Sequence, residues 1–300
     1  MLELVRGYAT ACLDGAELSS SIATVAVDLG ALSRLLVSSD ALREVVTDGS
    51  IPAASRAAVA DDLFRGKLVP EALDPFIFAV MSERAPELPK TLERLLEMAE
   101  IESARVAAGR SPGAEPPTGR SGGYERLRGY GERVFELQPS TSAVDEIEDE
   151  LFRLARIADG SAAFRQALAD SGAPIERRLA VLADLLGGRV TPPTALLASY
   201  VLRAGRSRDV VGALDYLVEI AASERGRRIA DVRAAVALGE GERGRMTSAL
   251  SRMMRRQVEL RVRLDPTLLG GVRITVGDTV IDGTVRHRLE QLRESLLVRA

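Results

Sequence analysis

The chain contains the same domain twice, and this constrains its fold more than any other feature. Arg6-Gly7-Tyr8 recurs as Arg128-Gly129-Tyr130, and the same 122-residue offset then holds without a gap. Leu29 and Leu32 match Leu151 and Leu154, Pro52 and Arg56 match Pro174 and Arg178, and Asp62-Leu63 matches Asp184-Leu185. Gly66 and Pro70 match Gly188 and Pro192. Between Asp40 and Pro70, 11 of 31 positions are identical, where composition alone gives about two or three. Residues 3–106 and 125–226 are therefore two copies of one domain. A solenoid needs at least ~3 stacked units, so this is a pair and not an array. Between the copies, Gly109 to Gly123 is dominated by Gly, Pro and Ser and has no apolar period, which predicts a mobile linker over 107–123.

Each copy reads as about six helices. In copy two, Ile147, Leu151, Leu154, Ile157 and Ala158 recur at helical spacing. Pro174 opens the next helix, Leu179, Leu182, Leu185 and Leu186 line it, and Gly187-Gly188 ends it. Pro192-Pro193 opens a helix through Leu197, Tyr200 and Val201, and Arg208 to Arg225 forms a last long one. The short connections predict neighbours packed roughly antiparallel in a compact bundle.

Beyond residue 227 the period changes. Ile229 to Leu238 reads as a strand and Glu240 to Arg256 as a helix carrying Met246, Leu250, Met253 and Met254. Val258, Leu260, Val262 and Leu264 alternate with charged residues, as in a half-buried strand, and Val272, Ile274 and Val276 alternate again. Gly277-Asp278 marks a tight turn. Asp282, placed to cap it, precedes a terminal helix with Val285, Leu289, Leu292 and Leu296. The expected fold is mainly α: a helical bundle over 1–106, the linker over 107–123, a second bundle over 124–226, and a small α/β domain over 227–300.

Composition removes most chemistries. One cysteine, Cys12, excludes an intramolecular disulfide framework, and one histidine, His287, stands without a ligand set. Cys12 reads as a small buried side chain. Aromatic residues are 4% of the chain, Trp is absent, and no apolar run approaches ~20 residues. Net charge is −3, but residues 227–300 hold 15 arginines against 9 acidic residues. Arg243, Arg245, Arg252, Arg255 and Arg256 read as a solvated face or as a receptor for an acidic segment. Nucleic-acid binding there lacks stacking aromatics.

Gly239-Glu-Gly-Glu-Arg-Gly244 matches the spacing of a dinucleotide loop. It fails on charge, because Glu240 and Glu242 stand where a pyrophosphate would sit, while the same acids favour the first turn of a helix. The domain is also too short for a two-halved dinucleotide fold. No Walker-type lysine motif is present, so no nucleotide hydrolysis, catalytic residue, metal or cofactor is expected.

The run from Asp265 through Gly270-Gly271, Gly277-Asp278 and Ile281-Asp-Gly-Thr284 to Leu289 resembles the tail of the delta subunit of F-type ATP synthases, the oligomycin-sensitivity-conferring protein family. Arg128-Gly-Tyr-Gly-Glu-Arg-Val-Phe-Glu136 is similar to that family's opening helix, so residues 124–300 resemble a whole subunit. Copy one is an additional helical domain. Actinobacterial relatives carry such a duplication, some behind a membrane-anchored b-type helix, and the arginine-rich composition agrees with that source.

The resemblance implies a non-catalytic stator subunit in the peripheral stalk, on the cytoplasmic face of the cell membrane. It would bind the N-terminal helices of alpha subunits through its helical domain and the b-type stalk through its C-terminal domain. Alpha would dock between the first and fifth helices, at Tyr130, Val134, Phe135, Leu197, Tyr200 and Val201. Tyr8, Cys12, Leu13, Phe76 and Val80 stand at matching places in copy one. The stalk would meet Leu268, Leu269, Gly270, Gly271, Leu289, Leu292 and Leu296. The simpler reading of each apolar residue is core, and of the glycine pair, local geometry. Two rivals stay open: a general helix-binding adaptor with two separate receptors, and a nucleotide-dependent enzyme using residues 239–244.

Overall fold

A computed structural model describes residues 1–170, 172–254, 258–265, 267–268, 270–276 and 279–287. The chain forms two compact units, one of residues 1–134 and 149–220, the other of 135–148 and 221–300. Copy one is six helices: α1 (Glu3–Leu18), α2 (Ile22–Ser38), α3 (Asp40–Thr47), α4 (Ala53–Phe64), α5 (Pro70–Ser82) and α6 (Leu88–Ala107). Copy two repeats them as α7 (Arg120–Glu136), α8 (Thr141–Gly160), α9 (Ala162–Ala169), α10 (Ile175–Leu186), α11 (Pro192–Arg203) and α12 (Val210–Arg228).

The duplication extends to individual hydrogen bonds. Ser39 caps α3 by accepting from the Leu42 N–H at 3.3 Å, and Ser161 caps α9 by accepting from Phe164 at 3.3 Å. Asp48 and Asp170 close the same side-chain turn onto Ser50 and Gly172. Buried Arg56 donates to the Val46 carbonyl at 2.8 Å, and Arg178 donates to the equivalent Leu168 carbonyl at 3.3 Å. Asp28 of α2 accepts from the Val69 N–H at the start of α5, and Glu150 of α8 accepts from the equivalent Thr191 N–H. Each carboxylate satisfies an orphan amide at a helix N-terminus and meets the positive end of its dipole. In copy one these fastenings surround a continuous apolar core in which Leu32, Ala60, Ala72, Val80 and Leu88 are fully enclosed.

The expected linker is irregular, as its composition dictates, but it is fastened. Glu115 accepts from the Thr10 hydroxyl at 2.8 Å and pairs with Arg6 at 3.5 Å, while its N–H donates to the Arg203 carbonyl at 2.9 Å. Arg126 donates to the Pro116 carbonyl at 2.7 Å. Helix α7 begins at Arg120, inside the expected linker.

The second unit holds β1 (Ile229–Ala234), α13 (Glu240–Met254), β2 (Glu259–Leu264), β3 (Val272–Val276) and β4 (Thr279–Asp282) in a sheet of order β2-β1-β3-β4. β1 pairs parallel with β2 across the α13 crossover and antiparallel with β3, and β4 returns along β3 as a hairpin. Leu250 of α13 packs with Ala230, Val232, Val258, Ile274 and Val276. The first strand stops at Ala234, short of the predicted Leu238.

The last helix is capped by Thr284 and not by Asp282. The Thr284 hydroxyl accepts from the His287 N–H, and Asp282 accepts from the Thr284 N–H and hydroxyl one step upstream. The Gly277-Asp278 turn, Arg255, Arg256 and the terminal helix beyond residue 287 lie outside the described residues.

Burial alone would raise the Glu150 carboxyl, but the hydroxyls of Thr194 and Thr191 and the Thr191 N–H hold it below the usual carboxylate range. A lowered folded-state value means stability present above the unfolded value and lost as pH falls through the folded one. Glu150→Gln should therefore cost about 1–2 kcal/mol at neutral pH. In urea melts the difference from wild type should fade below about pH 4; a difference that persists in acid rules out the charge as its source.

Candidate functional site

Most of α1 is enclosed: Val5, every residue from Gly7 to Asp14, and Ala16 are buried. An amphipathic helix of a bundle buries one stripe, whereas a helix buried nearly all round is covered on both sides. The second cover is copy two. A Cβ on Gly7 would lie 2.0 Å from the Arg126 carbonyl oxygen, and one on Gly129 would lie 1.9 Å from the Leu4 carbonyl oxygen. Leu4 and Arg126 are themselves repeat equivalents, so the contact is reciprocal, with the self-complementary logic of a two-fold interface. Glycine within a helix costs about 1 kcal/mol relative to alanine. Here it lets two helix backbones touch.

The aromatic floor beside this crossing is duplicated. Tyr8 stacks on Phe78 with centroids 4.0 Å apart, and Tyr130 stacks on Tyr200 at 3.8 Å. The repeat equivalent of Tyr200 is thus Phe78, which corrects the assignment of Phe76 and Val80 to that place in copy one.

The polar contacts break the symmetry. Asp14 of α1 accepts from the Tyr130 hydroxyl at 2.7 Å and pairs with Arg203 of α11 at 2.7 Å, all three buried. Arg133 of α7 pairs with Asp74 of α5 at 2.9 Å and lies 5.7 Å from the centroid of the Tyr8 ring. The equivalents of Arg203, Arg133 and Asp74 are Met81, Ala11 and Leu196. Burial and the Asp14 charge push the Tyr130 hydroxyl well above the ordinary tyrosine range. Burial works to lower the Arg203 guanidinium, and the charge and hydrogen bond of Asp14 more than offset it, so its value is raised.

By these contacts α7 lies against α1 and α5, and α1 lies against α7 and α11. Each copy's groove between first and fifth helices therefore receives the other copy's first helix. Tyr130, Val134, Leu197, Tyr200 and Val201 are all buried, as are Tyr8, Cys12, Leu13, Phe76 and Val80. Phe135 is fully buried within the second unit.

Of the residues expected to meet the stalk, Leu268 and Gly270 are half-buried and Gly271 is exposed, while Leu269, Leu289, Leu292 and Leu296 lie outside the described residues. Gly271, at φ +84°, has the Gly283 carbonyl oxygen 2.4 Å from where a Cβ would be, so the strand can pass the following loop only as glycine. At the glycines of 239–244, Glu242 accepts from the Gly239 N–H at 2.9 Å. The helix caps itself with the group an anion would displace. Among the described residues no cluster of His, Cys, Asp or Glu could hold a metal ion, and no single helix is long and apolar enough to cross a membrane.

Gly7 and Gly129 were read only as part of the repeat, and none of Gly7, Gly129, Asp14, Arg133 and Arg203 was read from the sequence as a site residue. The available signal was a glycine repeated at one position inside two helices, and a lone acid, Asp14, in the apolar run of α1.

The crossing makes opposite predictions for one substitution. Gly129→Ala should destabilise by about 1–3 kcal/mol through overpacking. Gly15→Ala, with no atom within 4 Å of its Cβ, should stabilise α1 by about 0.5–1 kcal/mol. Asp14→Ala leaves Arg203 buried without its partner and should cost about 3–5 kcal/mol. Denaturant titration reads all three; equal effects at Gly129 and Gly15 would remove the backbone contact as the reason for glycine.

The sequence profile of the ATP synthase delta (OSCP) subunit family matches residues 4–109 and 127–296, leaving unmatched between them most of the irregular segment and the start of α7. The ATP synthase subunit delta of Frankia alni is 36% identical over 290 residues, covering 96% of this chain and 93% of that protein. That of Salinispora arenicola is 33% identical over 285 residues, covering 95% and 92%, and that of Kineococcus radiotolerans is 34% identical over 269 residues, covering 90% and 86%. With both copies and the α/β module matched along nearly their whole length, the chain belongs to the ATP synthase delta (OSCP) subunit family.

Proposed function

We propose that this chain, a non-catalytic stator subunit of the membrane-associated ATP synthase, ties alpha subunits of the catalytic head to a b-type stalk on the cytoplasmic face. The helical unit takes the head and the α/β unit takes the stalk. The observation that supports this reading is the crossing of α1 and α7. A stator link transmits torque, so its parts must not slide under load. Two helix backbones in contact at Gly7 and Gly129, pinned on either side by the buried pair Asp14–Arg203 and by Arg133 with the half-buried Asp74, resist sliding because displacement would strand charges removed from water. Nothing in that arrangement requires chemistry.

The same contact weighs against a general adaptor with two separate receptors. Such a protein needs both grooves open, and each is filled by the other copy. A partner helix reaches Tyr130, Tyr200 and their neighbours only if α1 withdraws, so the outer faces of the helical unit are the places to engage the head. In the α/β unit, the loop at Leu268 and Gly270-Gly271 is where the stalk would dock. An enzyme using residues 239–244 is disfavoured by the Glu242 cap.

Calorimetric titration of the full chain with a synthetic N-terminal peptide of the alpha subunit, and separately with a C-terminal peptide of the b-type subunit, tests the link. Both should bind, and each should still bind when the other is saturating. ATP, ADP and NAD should leave the thermal midpoint unchanged. Failure of both peptides, together with stabilisation by a nucleotide, would move the enzyme reading to the front.

A further inference from the structure

The helical unit has an open cleft of about 470 Å³ between the end of α1, the irregular segment after α6, and helices α10 and α11. Its walls are Leu18, Pro112, Leu179, Ala180, Ala183 and Leu196, with Glu17 and Glu176 at the edge. Leu18 is 73% exposed, although it ends a helix that is otherwise enclosed. Ala180 and Ala183 are also exposed.

The repeat makes this cleft informative, because its wall residues on α10 and α11 have equivalents in copy one. Ala183 corresponds to Asp61 and Leu196 to Asp74. In copy one those two aspartates are held by Arg65, Asp61 at 2.5 Å and Asp74 at 3.1 Å, and Asp74 is also held by Arg133. The same face is therefore a closed ion-pair network in one copy and an open apolar surface in the other. The segment carrying Pro112, which forms one wall, occurs only once in the chain.

We infer that this cleft, and not its counterpart in copy one, receives a single amphipathic helix with apolar side chains on one face and Lys or Arg along its edge. The basic edge follows from the rim. Arg203 spends its charge on Asp14 inside the cleft. Glu176 and Glu17 also line the cleft, the latter paired with Arg105. An incoming helix thus meets net negative charge around an apolar floor, which suits helix-in-groove docking with electrostatic steering. This inference rests on the reading that the helical unit receives a partner helix from the head, and adds where it docks and how many dock.

The test uses mirror substitutions in the full chain. Ala58 and Ala180 are repeat equivalents, both exposed on α4 and α10. The probe is the synthetic N-terminal peptide of the alpha subunit, followed by calorimetry at low and high salt. Wild type should bind one peptide, more weakly as salt rises. Ala180→Glu places an unpaired carboxylate in the apolar floor and should weaken binding by about tenfold or more. Ala58→Glu should leave it unchanged, and circular dichroism should show both variants folded. Binding of two peptides, or equal binding by wild type and Ala180→Glu, overturns the cleft while leaving the link to the head intact. Absence of any binding by wild type overturns the link itself, and the cleft with it.

Discussion

The helical unit depends on the contact of two polypeptide backbones. Where α1 crosses α7, Gly7 and Gly129 each leave room for a carbonyl of the opposite helix, and no other residue type could stand at either place without moving the helices apart. Everything else at the crossing presupposes that approach. Only at this separation does Asp14 reach both the Tyr130 hydroxyl and Arg203, and only then does Arg133 lie near the Tyr8 ring while meeting Asp74. The burial that makes these charges costly to separate follows from the glycine contact. The glycines in turn give up helix propensity for it.

A duplicated domain that packs on its twin is an internal dimer, and an internal dimer needs protection against pairing the wrong way. The glycine crossing is symmetric and would fit copy one to copy one as well as to copy two. The charges remove that ambiguity. The equivalents of Arg203, Arg133 and Asp74 are Met81, Ala11 and Leu196, so a like-with-like pair would bury carboxylates and guanidiniums without partners. The connecting segment adds to the bias. It is short, and Glu115 binds it both to α1 and to α11, which holds the twins at high effective concentration.

The elements were legible in the sequence because they follow from local rules. Pro192-Pro193 at the first turn of α11 and strict alternation at Val272, Ile274 and Val276 in β3 place those elements within a residue or two. The repeat offset was legible for the same reason, since Pro52, Arg56 and Gly66 hold one backbone position each. What stayed hidden was which apolar face the second copy covers. Tyr130 and Tyr200 read equally well as core or as the floor of an open groove. Only the three-dimensional crossing shows that the groove is occupied from within the chain. The linker was legible only in part: a Gly-Pro-Ser run predicts irregular backbone, which the segment has, but carries no signal that Glu115 will be fastened. The cap of the last helix turned on one residue, because Asp282 and Thr284 are both good caps and the choice between them lies in the loop that Gly271 allows.

On the proposed reading, duplication lets one chain be both brace and receptor. If both copies carried the same surface, the chain would present two equal faces, and a single partner would have no reason to prefer either. In copy one the aspartates at 61 and 74 tie α4 and α5 to Arg65 and Arg133, which stiffens that copy and seals its face. In copy two the same positions are Ala183 and Leu196, which leaves an apolar surface beside α1. The division of labour therefore lies in which copy spends its charges internally. Copy one uses them to hold copy two, and copy two, held in this way, can leave apolar surface exposed without losing its own packing.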